Sequence, residues 1–153
     1  MEVYRITLAK YADQLFAPGL AGRWNRKEQL VIYTAASRSL ACLENLVHRR
    51  GIGLQQSYQV MAIHVPDQLT VQRIEESDLI PNWRNSIDQS ETQLIGSQWY
   101  QEARKPVLSV PSAIVPAERN IVINTKHPDF AKVQLIGTEP FAFDPRLNNA
   151  LPS

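Results

Sequence analysis

Residues able to do chemistry crowd into one stretch: Arg23 within Gly22-Arg23-Trp24-Asn25, then Tyr33, then Glu44. A guanidinium forks onto phosphate oxygens, and an aromatic face stacks on a flat heterocycle. A carboxylate accepts from a sugar hydroxyl or faces a developing cation. The set suits a ligand carrying phosphate, a flat ring and a sugar. Two residues outside the stretch join it. Arg5 lies on an alternating run, Val3 to Leu8, on the side away from Tyr4, Ile6 and Leu8. A solvated strand arginine is its simpler reading, and a phosphate clamp beside the Arg23 loop the sharper one. Ser112 follows a strand and stands next to Pro111, either as a turn residue or as a donor to a bound phosphate or amide.

These side chains need elements to hold them. Val3 to Leu8 alternates with period two and predicts a first strand. Tyr11 to Asn25 has no period, carries Pro18-Gly19 and Gly22, and reads as a loop with at most one helical turn. Within it, Trp24 can pin the loop to the core and Asn25 can be turn chemistry. Leu30 to Thr34 is an apolar run that suits a strand buried on both faces, ending near Tyr33, whose hydroxyl needs a partner.

The clearest helix runs from about Ser37 to Arg50, with Gly51 at the position that closes it. At about 100° per residue, Ala36, Leu40, Leu43, Leu46 and Val47 form its apolar wedge, with Arg38, Asn45 and Arg49 opposite. Glu44 falls on the margin of that wedge, in a stripe with Ser37 and His48. A carboxylate there is partly desolvated, so it needs hydrogen-bond partners or a shifted pKa. From periodicity alone, a boundary glutamate paired with Arg49, Arg50 or a loop arginine is the simpler account. His48 reads as a cap on helix C-terminal carbonyls and stays outside the candidate site.

Tyr58 to Val65 predicts a further strand, and Leu69 to Ile74 a short edge strand. Asp78 to Asn85 is irregular. Ser90-Glu91-Thr92-Gln93 is a capping-box pattern opening a helix to about Lys105, with Trp83 and Trp99 as core anchors. Pro106 to Val110 and Asn120 to Asn124 predict strands, Val133 to Ile136 and Phe141 to Phe143 the last extended pieces, and Leu147 to Ser153 a frayed end. Six to eight short strands and two real helices, without doubly wound alternation, give an α+β fold in one domain over residues 1–153.

Composition narrows the function classes. Net charge is +1, with no basic run beyond Arg49-Arg50, so direct nucleic-acid binding is not expected. The lone Cys42 makes no internal disulfide; it fits a reducing compartment and plain helix packing. No apolar stretch approaches a spanning helix and the first residues form no signal peptide, so the reading is a cytoplasmic protein without membrane partners. There is no G-x-G-x-x-G, Walker lysine loop, C-x-x-C or H-E-x-x-H, and no metal is expected. Ser112 has no nucleophile-elbow context and is not read as a hydrolase nucleophile.

Taken together, Tyr4-Arg5, Gly22-Arg23-Trp24-Asn25, Tyr33, Ala41-x-x-Glu44-x-x-x-His48, Pro111-Ser112 and Phe143-Asp144-Pro145-Arg146-Leu147 resemble the RES domain, named for an arginine, a glutamate and a serine. The order matches along nearly the whole chain. The resemblance implies an ADP-ribosyltransferase-like split β-sandwich with two main helices and a cleft for nicotinamide adenine dinucleotide (NAD), taken as substrate. It implies a toxin of a bacterial type II toxin–antitoxin module that depletes NAD, with a cognate antitoxin covering the cleft and room for a homodimer within that complex. Arg23, Glu44 and Ser112 match the family residues, Arg5 a second arginine, and Tyr33 the site tyrosine. The chain departs from the family pattern at Ala21-Gly22, where two glycines are common, and at Asn124-Thr125-Lys126-His127, where Asn-Pro-x-His is common.

Cleaving the nicotinamide–ribose bond passes through an oxocarbenium-like state. Glu44 would stabilise that cation and orient the 2′-hydroxyl. Arg23 and Arg5 would hold the pyrophosphate, Tyr33 would stack on nicotinamide or ribose, and Ser112 would bond the nicotinamide side. The acceptor stays open between water, inorganic phosphate and a protein side chain. A protein-modifying ADP-ribosyltransferase and a non-enzymatic binding module, in which Arg23 and Glu44 merely pair, are the other readings.

Overall fold

The alternation of Val3 to Leu8 does form a strand, and everything else is arranged by what its two edges and faces meet. The computed structural model describes residues 1–50 and 52–149. Its strands are β1 (Glu2–Leu8), β2 (Val31–Ala35), β3 (Tyr58–His64), β4 (Val71–Arg73), β5 (Val107–Pro111), β6 (Arg119–Asn124) and β7 (Gln134–Phe141). Helix α1 spans Arg38–His48 and α2 spans Ser90–Glu102. The strands lie in the order β4-β5-β6-β2-β1-β3-β7, antiparallel except for β4 with β5, which α2 connects as a crossover.

The sheet is almost cut in two. β1 and β2 share one register pair, Tyr4↔Ala35, whereas β1 pairs with β3 along its whole length. Beyond that pair the carbonyl of Ile6 has no strand partner and accepts from Asn45 Nδ2 of α1 at 2.9 Å. A side chain replaces the missing ladder bond, which a buried carbonyl requires. The expected split β-sandwich thus takes the form of two half-sheets joined at one pair.

Period-two alternation assigns each strand residue to a face. Val3, Ile32, Met61, Ile63, Val107 and Ile123 pack together on one face. On the other, Ile6, Ala35, Tyr58 and Val60 pack under α1 through Leu40, Ala41 and Leu46. Beside them, Trp24, Trp83, Trp99, Leu108 and Val122 form a tryptophan-rich cluster under α2. Both helices therefore cover the same face. Among the described residues no helix is long and apolar enough to cross a membrane.

Several local expectations shift. Ser37 caps α1 by accepting from Leu40 N at 3.1 Å, so the helix begins one residue later than periodicity suggested. Its buried stripe is Leu40, Ala41 and Leu46; Leu43 and Val47 stand 36% and 47% exposed, because the half-sheet meets the helix on the Ala41 flank. Asn45 accordingly faces β1 rather than solvent. Gly51 lies outside the described residues. The capping box at Ser90 does not form: Gln89 precedes α2 without a side-chain cap, Ser90 bonds Asp88, and Glu91 accepts from Ile80 N. α2 ends earlier than Lys105, at Ala103, whose φ of 49° is left-handed. The two last extended pieces merge into β7. Leu147 lies in a short 3-10 turn over Pro145–Asn149 and packs on the α1 cluster rather than fraying; residues 150–153 fall outside the described part.

Gly96 of α2 meets the Arg23 loop edge on: a Cβ there would stand 1.7 Å from the Trp24 carbonyl oxygen. Gln93 Nε2 donates to Gly22 O at 3.0 Å and Gln29 Nε2 to Ser97 Oγ at 2.7 Å, so α2 clamps that loop at three levels. Since backbone cannot swing away as a long side chain can, Gly96→Ala should destabilise the protein by about 1–3 kcal/mol. Urea unfolding checks this; a midpoint equal to wild type would mean that helix and loop separate freely.

Candidate active site

The candidate residues arrive on four different elements of the helix-covered face. Arg23 comes from a tight turn in which Gly22 and Asn25 bond each other through their backbones. Asn25 is fully buried and its Nδ2 reaches the carbonyls of Leu20, Arg26 and Gln29, at 2.9, 3.0 and 3.3 Å. Tyr33 of β2 donates its hydroxyl to Asn25 Oδ1 at 2.6 Å and accepts from Trp24 N at 2.9 Å. Burial pushes the Tyr33 phenol well above its usual range, and the Trp24 N–H and the Arg23 charge oppose this. A Cβ at Gly22 would fall 2.7 Å from that hydroxyl, so the tyrosine and the glycine fix the turn together.

Glu44 stands half-buried on α1. Ser112, fully buried at the end of β5, donates its hydroxyl to Glu44 Oε1 at 2.9 Å. Ser112 Oγ also accepts from Ile114 N and Val115 N, at 3.0 and 3.1 Å. Asn120 of β6 stands near Glu44, with its Nδ2 donating to Thr34 O at 3.3 Å. Burial raises the Glu44 pKa; the Ser112 hydroxyl and the Asn120 amide, then the charges of Arg23 and His48, pull it back without cancelling the rise. Among the described residues Glu44 has no ion pair within 4.0 Å; Arg49 turns away to Asn45 Oδ1 and the Tyr58 ring. The simple account of a boundary glutamate locked to Arg49 is thereby set aside.

Two side chains expected to meet a ligand are engaged within the protein. The hydroxyl proton of Ser112 goes to Glu44. The Nη atoms of Arg23 are engaged too. Nη1 donates to Trp83 O at 2.7 Å and Asn85 O at 3.1 Å, and Nη2 to Arg84 O at 3.3 Å. Burial lowers the Arg23 pKa, Glu44 and Tyr33 raise it, and the nearby Arg84 lowers it again.

Arg5 does not join this cluster. It projects from the other face of β1 and lines a cavity of about 360 Å³ with Thr7, Phe16, Leu20, Ile32 and Met61. Its Nη1 donates to Phe16 O at 3.2 Å, burial lowers its pKa, and no carboxylate pairs with it among the described residues. The cavity touches β1 at Thr7 and β2 at Ile32, on either side of the seam where the strands part. Arg84 and Asn120 are neighbours that the sequence did not single out, and His48, read there as a cap outside the site, acts on Glu44 through its charge. The parity of Asn120 with Val122 on β6 carried the only signal, because it sets that amide on the helix-covered face. Among the described residues no group of three or more His, Cys, Asp or Glu is gathered to hold a metal.

A carboxylate titrating high favours its neutral form in the folded state. The stability tied to that form is complete below the ordinary value of 4.5 and is lost as pH rises through the raised one. Glu44→Gln keeps the acceptor for Ser112 and removes the buried charge. It should melt above wild type at about pH 7, with the gap closing below about pH 4. Calorimetry across that range checks it; a variant less stable at neutral pH would reverse the sign of the argument.

The chain matches the RES domain family over residues 2–144. It is 35% identical over 153 residues to Toxin Res of Yersinia enterocolitica serotype O:8 / biotype 1B, covering 96% of this chain and 99% of that protein. It is 36% identical over 141 residues to the Prs ADP-ribosylating toxin of Sphingobium sp. strain YBL2, covering 89% and 88%. A chain in the crystal structure of the M. tuberculosis MbcT–MbcA toxin–antitoxin complex superposes with a TM-score of 0.77 at 23% identity, over 98% of this chain and 87% of that one, and shares its fold. With its arginine turn, its helix glutamate and the serine bonded to it in one place, this chain belongs to the RES domain family.

Proposed function

We propose that this protein is the toxin of a toxin–antitoxin pair and that it depletes NAD by breaking the nicotinamide–ribose bond. The observation that carries the chemistry is Glu44: a half-buried carboxylate with no ion pair among the described residues, bonded by Ser112, with the Asn120 amide near by and Arg23 in electrostatic reach. The C–N electron pair leaves with nicotinamide and neutralises its ring cation, so the leaving group needs no proton. Positive charge grows on the ribose, where a negative group in a partly dry site is worth most. One carboxylate suffices for that. Water or inorganic phosphate then closes the ribose carbon.

Tyr33 offers its ring beside Arg23. Arg23 would hold the pyrophosphate, since a charged phosphate oxygen outcompetes the neutral carbonyls that now occupy its Nη atoms. Arg5, across the seam between β1 and β2, would serve the more distant phosphate of an extended dinucleotide. Glu44→Gln should lower NAD turnover by more than about 100-fold with the fold intact. Arg23→Lys should also fail, because an ammonium is no fork. Following NAD and free nicotinamide over time, with and without phosphate, tests the reading; near-wild-type turnover in Glu44→Gln would sink it. The similarity to a named ADP-ribosylating toxin favours one second reading, transfer to a protein, which mass spectrometry of targets separates from free-NAD loss.

An enzyme that destroys NAD must be silenced in its own cell, and the fold is shared with a chain of a toxin–antitoxin complex. We take the antitoxin to cover the Arg23–Glu44 site directly. Saturating a non-hydrolysable NAD analogue should then abolish antitoxin binding; a stable ternary complex would show that inhibition acts elsewhere.

A further inference from the structure

Two guanidiniums bracket the Glu44 site, and neither meets a carboxylate within 4.0 Å among the described residues. Both bond backbone carbonyls instead. Arg23 holds the carbonyls of Trp83, Arg84 and Asn85 from one side. Arg84, exposed on that same turn, sends Nε to Ala113 O at 2.7 Å and Nη2 to Ile114 O at 3.3 Å. Ala113 and Ile114 follow Ser112 directly, and Ser112 Oγ accepts from Ile114 N and Val115 N while donating to Glu44. The bonds run without a gap from the Arg23 turn through residues 83–85 to the Ser112 turn and so to the carboxylate.

We propose that Arg84 is a positioning residue for the reaction: it pins the Ser112 turn so that the serine hydroxyl stays aimed at Glu44. The proposal rests on the NAD-cleaving reading above. The turn is closed on its other side by Ser112 N to Glu118 O and Glu118 N to Val115 O, each at 2.9 Å, while the carbonyls of Ala113 and Ile114 go to Arg84. Ala113 packs toward the tryptophan cluster and Val115 toward the α1 cluster, so the segment spans the boundary between two packed units. A fork onto two successive carbonyls fixes the plane of that turn, which one N–H donor would leave free to rock. If the turn rocks, Glu44 loses the foremost of the hydrogen bonds that favour its charged form, leaving Asn120 from β6, Arg23 from its loop and His48 from α1 against the burial cost.

The experiment reads Glu44 directly. Carbon-13 NMR of labelled glutamate gives its titration midpoint in ligand-free wild type, Arg84→Ala, Arg84→Lys, Ser112→Ala and the Arg84→Ala/Ser112→Ala double variant, each checked for a cooperative melt. The expected result is a higher midpoint in Ser112→Ala and in both Arg84 variants, with nothing added in the double variant. In the kinetics, both Arg84 variants should lose about tenfold in kcat with little change in KM, and the acid limb of kcat should move to higher pH. Arg84→Lys keeps the charge and loses the fork, so a wild-type midpoint in that variant would show a bare charge effect and overturn the brace. An additive double variant, an unmoved midpoint in Arg84→Ala, or a change confined to KM would overturn it as well, the last by making Arg84 a phosphate contact. A wild type that titrates as expected yet consumes no NAD would instead sink the functional reading and leave the brace standing.

Discussion

The hydrogen bond from Ser112 Oγ to Glu44 Oε1 is the contact on which the rest of the structure depends. It ties helix α1 to the end of β5, two elements that otherwise belong to different packed clusters. A half-buried carboxylate without an ion pair is tolerated only where neutral donors replace lost water. Ser112, just past the end of β5, is such a donor, and the Asn120 amide on β6 stands near by. On the proposed reading, an ion pair would stabilise the same carboxylate at the expense of function, because a bonded guanidinium would cancel the charge that a ribosyl cation is to meet. Leaving Glu44 dipole-bonded would then cost the fold stability and serve the chemistry.

A second constraint lies where β1 and β2 part. The sheet pairs once, at Tyr4↔Ala35, and hands the freed Ile6 carbonyl to Asn45. Loops then do work that strands do elsewhere. Asn25 bonds three carbonyls, Arg23 three more, and Arg84 two, so irregular backbone is held by side-chain donors rather than by regular pairing.

What the sequence made legible was whatever repeats with a period. The alternation of Val3 to Leu8, the apolar run before Tyr33 and the α1 stripe placed strands and helix within a residue or two, and they put Glu44 on a boundary. Seven strands and two helices fit the α+β reading. Illegible features were those that depend on partners far along the chain. Leu43 and Val47 satisfy the helical period but lie outside the contact, since the wedge's true centre is set by where β1 runs. The Ser90 to Gln93 pattern obeys a capping rule, yet Ser90 gives its hydroxyl to Asp88 and Gln93 its amide to Gly22 O. Site chemistry divides the same way. Residue types predicted a carboxylate near an arginine, whereas the commitment of Ser112 to Glu44 and of Arg23 to residues 83–85 spans about 60 to 70 positions of chain and leaves no local trace.

Arg5 and Glu44 show how one strand can serve both faces of a split sheet. Alternation sends Arg5 to the cavity side while Tyr4 and Ile6 pack toward α1, so no change of rotamer brings the two charges together. In an intact sheet that separation would forbid a common ligand. Here Thr7 and Ile32 face each other across unpaired backbone, and the far-side cavity borders the gap. A small ligand would sense one face only. A long one, anionic in the middle and carrying a ring at each end, is the shape that two guanidiniums on opposite sides of a seam and a lone carboxylate at one end would select together. On the proposed reading, the size discrimination of such a site would reside in the missing rungs between β1 and β2 rather than in any single side chain.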